Sequence, residues 1–376
     1  MARLGDICTI SSSTENIDSK KVWLLNLDMV EQQTGRVIDY LLVNKNDLTG
    51  SIVQFSTDNV LYSKLRPNLN KVVIPNCSGF ATSEMLPLKP NTNILTKEYL
   101  TAFLRSDTFV TWASSKTAGA KMPRLSSKEL LNKEIPLPPL FEQQHIAAVL
   151  DKVSELIDLR KMQLVKLDEL VKSRFVEMFG DQGNNSLGFT VGKLSDVAEI
   201  FLGLTHTPTY VESGKPFLSV RDISSGSIDF SACHYITEEE FKSLPNGARP
   251  HVGDMLFCRV GTIGKPVIIP TGTPEFGTFV SIGYLRKKDN VNNLYLKSWM
   301  ENEYFMKQVY DNVAGASQIN LNTGWLKNFR ILIPPIELQN QFAAFVEQID
   351  MQKSTIQQSL GKLETLKKAL MQEYFG

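Results

Sequence analysis

Cysteine is scarce in this chain: four among 376 residues, with no Cys-x-x-Cys pair. Cys8, Cys77, Cys233 and Cys258 are scattered, which argues against a zinc ribbon or a disulfide framework. Net charge is missing too, with 40 Lys/Arg against 40 Asp/Glu, and that disfavours a strong stand-alone nucleic-acid binder. No apolar run approaches the length needed to span a bilayer. The opening Met-Ala-Arg-Leu-Gly-Asp lacks the apolar stretch of a signal peptide, so a cytoplasmic protein without membrane contact is expected. The hydrophobic content of 42% and charged content of 21% are globular values, and the length allows two ordinary cores plus connecting helices.

Catalytic signatures are absent as well. DNA-base methylation would need a glycine-rich cofactor loop and an Asn/Asp-Pro-Pro-aromatic strand end. The Pro-Pro pairs here, Leu137-Pro138-Pro139-Leu140 and Ile333-Pro334-Pro335-Ile336, have no acid or amide before them. Gly261-Thr262-Ile263-Gly264-Lys265-Pro266 resembles a fragment of a phosphate loop, but its glycine spacing is short and Pro266 replaces the Ser/Thr. Asp229 with Glu240-Phe241-Lys242 looks nuclease-like only by chance, since Glu238 to Leu244 reads as an exposed helix. His145 lies on a long helix whose other copy has Gln341, while His206, His234 and His251 fall in separate loops without metal-ligand spacing. No catalytic residue, metal site or cofactor is expected in this chain.

What the chain does have is repetition. The segment from Tyr99 to Gly180 returns without a gap, 196 residues later, as Tyr295 to Gly376. Each copy passes an Ala-Gly-Ala step (118–120; 314–316) and a leucine (Leu125; Leu321), then an apolar strand-like run ending in Pro-Pro. A long helix follows and closes on Phe-Gly. Across the last 46 residues of each copy 14 positions are identical, and the register never slips. Upstream the match is looser: Leu4-Gly5-Asp6-Ile7 faces Leu194-Ser195-Asp196-Val197, and Val72-Val73-Ile74-Pro75 faces Val267-Ile268-Ile269-Pro270. The plan is domain (1–134), helix (135–180), domain (181–330), helix (331–376). It suggests a chain that reads two different things a fixed distance apart.

The helices carry a 4-3 apolar spacing over more than four heptads, which is coiled-coil evidence. The expected seam includes Leu150, Val153, Ile157, Leu164 and Leu167 in the first copy, and Val346, Ile349, Ile356, Leu360 and Leu363 in the second. Charged exceptions at Arg160, Arg174, Lys353 and Lys367 either set the register or snorkel off the seam. From Glu142 to Met178 the helix would run roughly 55 Å at ~1.5 Å per residue. That matches roughly 16 base pairs of duplex. A duplicated unit closes most simply about a pseudo-two-fold axis, which makes the pair antiparallel and puts the domains at opposite ends.

The domains read as short β-runs with a late helix, so the fold class is α+β. Strands are expected at 22–27, 60–62, 71–74 and 85–88, then at 217–220, 255–258, 266–269 and 281–285, with helices at 98–109 and 294–309. A polar, basic turn separates two strands in each: Ser63 to Asn70 and Arg259 to Lys265. Gly261 and Gly264 allow close backbone approach, while Lys64, Arg66, Asn68, Asn70, Lys71, Arg259, Thr262 and Lys265 suit phosphates and base edges. An ordinary charged hairpin is the alternative. Lys121 and Arg124, and their counterparts Gln318 and Asn320, form a second candidate set that differs in kind between copies. Residues 64–128 hold ten Lys/Arg against three acids, whereas 259–324 hold seven against five.

The pattern resembles the DNA-specificity subunit of type I restriction-modification systems. The residues carrying the resemblance are Leu4-Gly5-Asp6-Ile7, Asp254-Met255-Leu256-Phe257, the Arg259–Lys265 turn, Ile135 to Pro139 with Glu142-Gln143-Gln144, and Ile331 to Pro335 with Gln339-Asn340-Gln341. It covers essentially the whole chain, although Thr57-Asp58 stands where the second copy has Gly253-Asp254. The resemblance implies two target-recognition domains, each reading half of an interrupted site in double-stranded DNA. It implies an antiparallel coiled coil as spacer, two docked methyltransferase (M) subunits carrying the S-adenosylmethionine, and restriction/translocase (R) subunits that complete the nuclease. Arg66→Ala would then affect one half-site and Arg259→Ala the other. A protein–protein scaffold with two end-binding domains is the competing reading, favoured by the neutral charge.

Overall fold

The computed structural model describes residues 1–119, 121–312 and 320–376. They form two compact units, residues 1–162 with 357–376 and residues 163–356, so each unit combines a β-rich region with parts of both long helices.

In the first unit an antiparallel sheet runs in the order Cys8–Ile10, Met85–Pro90, Val60–Ser63, Val72–Val73. All four residues of Val60–Ser63 are buried, as expected for a strand covered on both faces. A second sheet runs Leu41–Asn44, Lys21–Leu25, Gly79–Thr82, Ile52–Phe55, with its central pair parallel. The second unit repeats the first sheet as Ala198–Leu202, Ile282–Lys287, Met255–Cys258, Val267–Ile268. It repeats three strands of the other as His234–Ile236, Lys215–Leu218, Gly277–Thr278.

The expected strand at 22–27 ends instead at Leu25, because Leu27–Met29 tightens into a 3-10 turn. The expected helix at 98–109 is two helices, Lys97–Leu104 and Asp107–Ser115, because the Ser106 hydroxyl accepts from the Phe109 amide and starts a new one. The same break recurs at Glu301-Asn302, between Asn293–Met300 and Glu303–Asn312. There the Asn302 carboxamide oxygen accepts from the Tyr304 amide.

The long helices span Leu140–Phe179 and Ile336–Phe375, 40 residues each. In the first unit the start of one lies with the end of the other: Ile146 and Leu150 share a core with Phe375. In the second unit the ends are exchanged, with Phe175 and Phe179 packed among Phe342 and Val346. The pairing is therefore antiparallel, and every position of the counted seam is buried or half-buried.

The repeated sequence signatures now have physical reasons. Gln143 and Gln339 are fully buried and bond three backbone groups each. Gln143 accepts from the Thr96 amide (3.0 Å) and donates to the carbonyls of Ile94 and Pro138 (both 2.8 Å). Gln339 does the same with Asn292 (2.8 Å), Asn290 (3.3 Å) and Pro334 (2.8 Å). Tyr99 and Tyr295 donate to the carbonyls of Pro136 and Leu332. Each tyrosine ring meets the terminal Phe of a long helix: Tyr99 meets Phe375 at 5.3 Å, and Tyr295 meets Phe179 at 4.7 Å.

Candidate nucleic-acid interface

The two candidate segments of each domain, distant in sequence, are clasped together. In the first domain Arg66 donates its amide to the Pro123 carbonyl (2.8 Å), and the Leu125 amide donates to the Lys64 carbonyl (2.9 Å). In the second the Leu321 amide donates to the Arg259 carbonyl (2.9 Å), and Val260 bridges to Asn320. The turns are built differently. Arg66 and Asn70 take left-handed conformations (φ 50° and 51°) on either side of the Pro67–Leu69 3-10 turn. The second turn places glycines there, Gly261 at φ 74° and Gly264 at φ 82°, where a side chain would be strained.

Burial and bonding sort the candidates. Arg66, Asn68, Lys121, Thr262 and Lys265 are exposed, and Lys64 is half-exposed. Their side chains form no hydrogen bond or ion pair among the described residues, so they are available to a ligand. The rest are engaged by the protein. Asn70 is buried and donates to the Arg105 carbonyl (3.1 Å). The Lys71 ammonium donates to the Leu27 carbonyl, and burial pulls its pKa down against the pull of Asp28.

Arg124 forks onto Glu84, with Nε 3.1 Å from both carboxylate oxygens, and that hydrogen bond and charge raise its pKa. Arg259, a candidate for contact with phosphates and base edges, is bonded by the protein itself. Its Nε donates to the Leu321 carbonyl (2.9 Å), one terminal nitrogen to the Val280 carbonyl (2.8 Å) and the other to the Asn320 carboxamide oxygen (3.3 Å). Burial lowers its pKa. It ties down the turn that Thr262 and Lys265 occupy and engages the Asn320 side-chain oxygen, while the exposed Asn320 amide nitrogen has no bond among the described residues. Gln318 and the 314–316 step lie outside the described residues, as does Ala120.

The Gly-Asp step also has a structural role. Asp254 is buried and takes two bonds from Arg286 (2.9 and 2.7 Å) and one from the His251 amide (2.8 Å). Its counterpart Asp58 only meets exposed Lys89 at 3.5 Å. Within the second unit an open groove of about 1430 Å³ reaches from Gly264 and Lys265 to the long helices. Five lysines line it with five acids, among them Glu301, so it is balanced in charge and unsuited to tracking phosphates. Desolvation in the groove raises the Glu301 carboxyl although its side chain is still 37% exposed, and neighbouring Lys297 and Lys353 pull it back only in part. Among the described residues no group of three or more His, Cys, Asp or Glu could hold a metal, and no helix is long and apolar enough to cross a membrane.

Sequence reasoning missed the turn at Glu31–Arg36, which bonds to the Arg66–Asn70 loop: the Gln33 amide donates to the Leu69 carbonyl (3.0 Å). Gly35, with Gln-Gln-Thr before it, was the available signal.

Comparison with known proteins finds relatives across both repeats. The family model described as "Type I restriction modification DNA specificity domain" matches residues 1–169 and again 187–368. The specificity subunit of the type I restriction enzyme EcoDI of Escherichia coli is 27% identical over 182 residues, covering 47% of this chain and 40% of that one. That of MjaVIII of Methanocaldococcus jannaschii is 24% identical over 324 residues, covering 78% and 72%. A chain from a structure of the assembly and conformational transition of the type I R-M system aligns at TM-score 0.63 and 19% identity, over 100% of this chain and 96% of that one. The type I S subunit from M. genitalium aligns at TM-score 0.61 and 12% identity, over 100% and 95%. The family model thus falls once on each repeat, and the chain belongs to the type I restriction modification DNA specificity domain family.

Proposed function

We propose that this chain is the non-catalytic, sequence-specific DNA-recognition subunit of a type I restriction-modification complex. Each β-rich domain reads one half of an interrupted duplex site, and the paired helices hold the halves apart. The observation that carries the reading is one framework built twice with different loops on it. Gln143, Tyr99 and Phe375 have exact chemical counterparts in Gln339, Tyr295 and Phe179, all buried. The exposed side chains differ throughout: Arg66, Asn68 and Lys121 in one domain, Thr262 and Lys265 in the other. A frame kept alike with a varied surface fits two readers of different sequences.

Phosphate contacts would position the chain and base-edge contacts from these loops would specify. With zero net charge, much of the affinity must come from partner subunits. The long helices leave Phe141, Met162, Val165 and Met351 exposed, apolar surface suited to methyltransferase subunits that bring S-adenosylmethionine. A restriction subunit would add cleavage. Methylome sequencing of a host with and without this chain tests the reading. An interrupted, asymmetric methylated motif that vanishes on deletion is the expected result. An unchanged methylome with an active methyltransferase would overturn it in favour of a scaffold.

A further inference from the structure

Among the described residues four non-glycine residues have positive φ: Gln33 (65°), Arg66 (50°), Asn70 (51°) and Asn185 (51°). Three of them meet in one place. The Gln33 amide donates to the Leu69 carbonyl (3.0 Å) and its side-chain Nε2 to the Asn68 carbonyl (2.9 Å). The Arg66–Asn70 loop is thereby held from a second direction, opposite in sequence to its clasp with Pro123. Such backbone conformations are costly, persist only where surrounding bonds enforce them, and cluster at functional sites.

The turn bearing Gln33 is itself closed firmly. Glu31 donates its amide to the Arg36 carbonyl (2.8 Å), and the Gly35 amide donates to the Glu31 carbonyl (3.1 Å). Gly35 is pressed in so closely that an added Cβ would lie 1.9 Å from the Val72 carbonyl oxygen. Outward, the turn presents Gln32, Gln33, Thr34 and Arg36 to solvent beside Arg66 and Asn68. Arg36 is compensated by Glu31 (3.3 Å), while the Gln32 carboxamide has no partner among the described residues. A free carboxamide offers a donor and an acceptor side by side, matching the major-groove edge of adenine. In the second domain the corresponding turn closes on itself through Ser225 and Ser227 (3.0 Å) and makes no hydrogen bond to the Gly261–Lys265 loop among the described residues.

We infer that the Glu31–Arg36 turn is part of the first domain's reading surface, with Gln33 a positioning residue for the Arg66–Asn70 loop and Gln32 a specificity-determining contact to a base edge. The inference rests on the DNA-reading function proposed above. It predicts that the first half-site is read by one more linked segment than the second.

The test maps the methylated motif made by the complete complex with its methyltransferase, for wild type, Gln32→Ala and Gln33→Gly. Glycine at 33 keeps the positive φ available and removes the side-chain bond, while adding some backbone freedom. Gln32→Ala should cut discrimination about tenfold at one position of one half-site, leaving the other half and the spacer unchanged. Gln33→Gly should blur that same half-site. Wild-type discrimination in both variants would overturn the inference, as would equal weakening of both halves. A wild-type complex with no interrupted motif would instead overturn the underlying function.

Discussion

The two candidate loops sit on the same framework and are held in place by opposite means. In the first domain the Ser63–Asn70 loop is held by its surroundings, with bonds to Pro123, Leu125 and Gln33 forcing Arg66 and Asn70 to positive φ. In the second the turn bends because glycine permits it, and a single side chain, Arg259, ties its base to Leu321, Val280 and Asn320. The first arrangement leaves its arginine free and exposed, whereas the second consumes its arginine as a strut. Two arginines in similar sequence positions thus have different work, and only the bonding pattern distinguishes them.

Five outcomes would break or sharpen this comparison, beginning with the shared framework. Phe375→Ala and Phe179→Ala each empty a buried aromatic site and should cost about 3–5 kcal/mol in the unit whose core they enter. Hydrogen exchange should show Phe375→Ala loosening the core around Tyr99 and Phe179→Ala that around Tyr295. Gln143→Ala and Gln339→Ala each leave three backbone groups without their partner, at about 1–3 kcal/mol per buried group. Matching losses in thermal denaturation would support equivalent roles, and a large disparity would deny them.

Arg259→Ala should cost less stability, as its site is half-exposed, yet increase amide exchange at Leu321 and abolish reading by the second domain. Arg66→Ala should leave exchange unchanged while relaxing one half-site. The smallest effect belongs to Glu301. Its carboxyl is raised above the unfolded value by desolvation, an effect weakened by its partial exposure, so the native state binds the extra proton and stability falls slightly as pH rises through that range. Glu301→Gln should flatten this fall and leave stability near neutral pH equal or slightly higher, measured by denaturation at several pH values.

The duplication, the helices and the antiparallel seam were legible because identity at fixed spacing and heptad periodicity report directly on packing. The β-rich regions were less so. Strands such as Leu41–Asn44 and Ile52–Phe55 are short and only partly buried, leaving weak alternation to read. Helix breaks at Ser106 and Asn302 came from side-chain caps inside apolar runs that looked continuous. In the candidate interface, sequence offered the segments around 64 and 124 as separate candidates, and the backbone bonds that join them appear only in the fold. Sequence could not separate Arg66 from Arg259, since charge is a residue property and availability depends on carbonyls from 21 to 62 residues away. The Gln33 turn escaped notice because its link to residues 68 and 69 exists only in three dimensions.

The central claim is that each loop governs its own half of one site. The most direct measurement is methylation mapping of two variants in the complete complex, Arg66→Ala and Lys265→Ala, against wild type. The account predicts that each variant relaxes or weakens a different half of the interrupted motif and leaves the spacer intact. Both variants altering the same half, or both halves together, would contradict it.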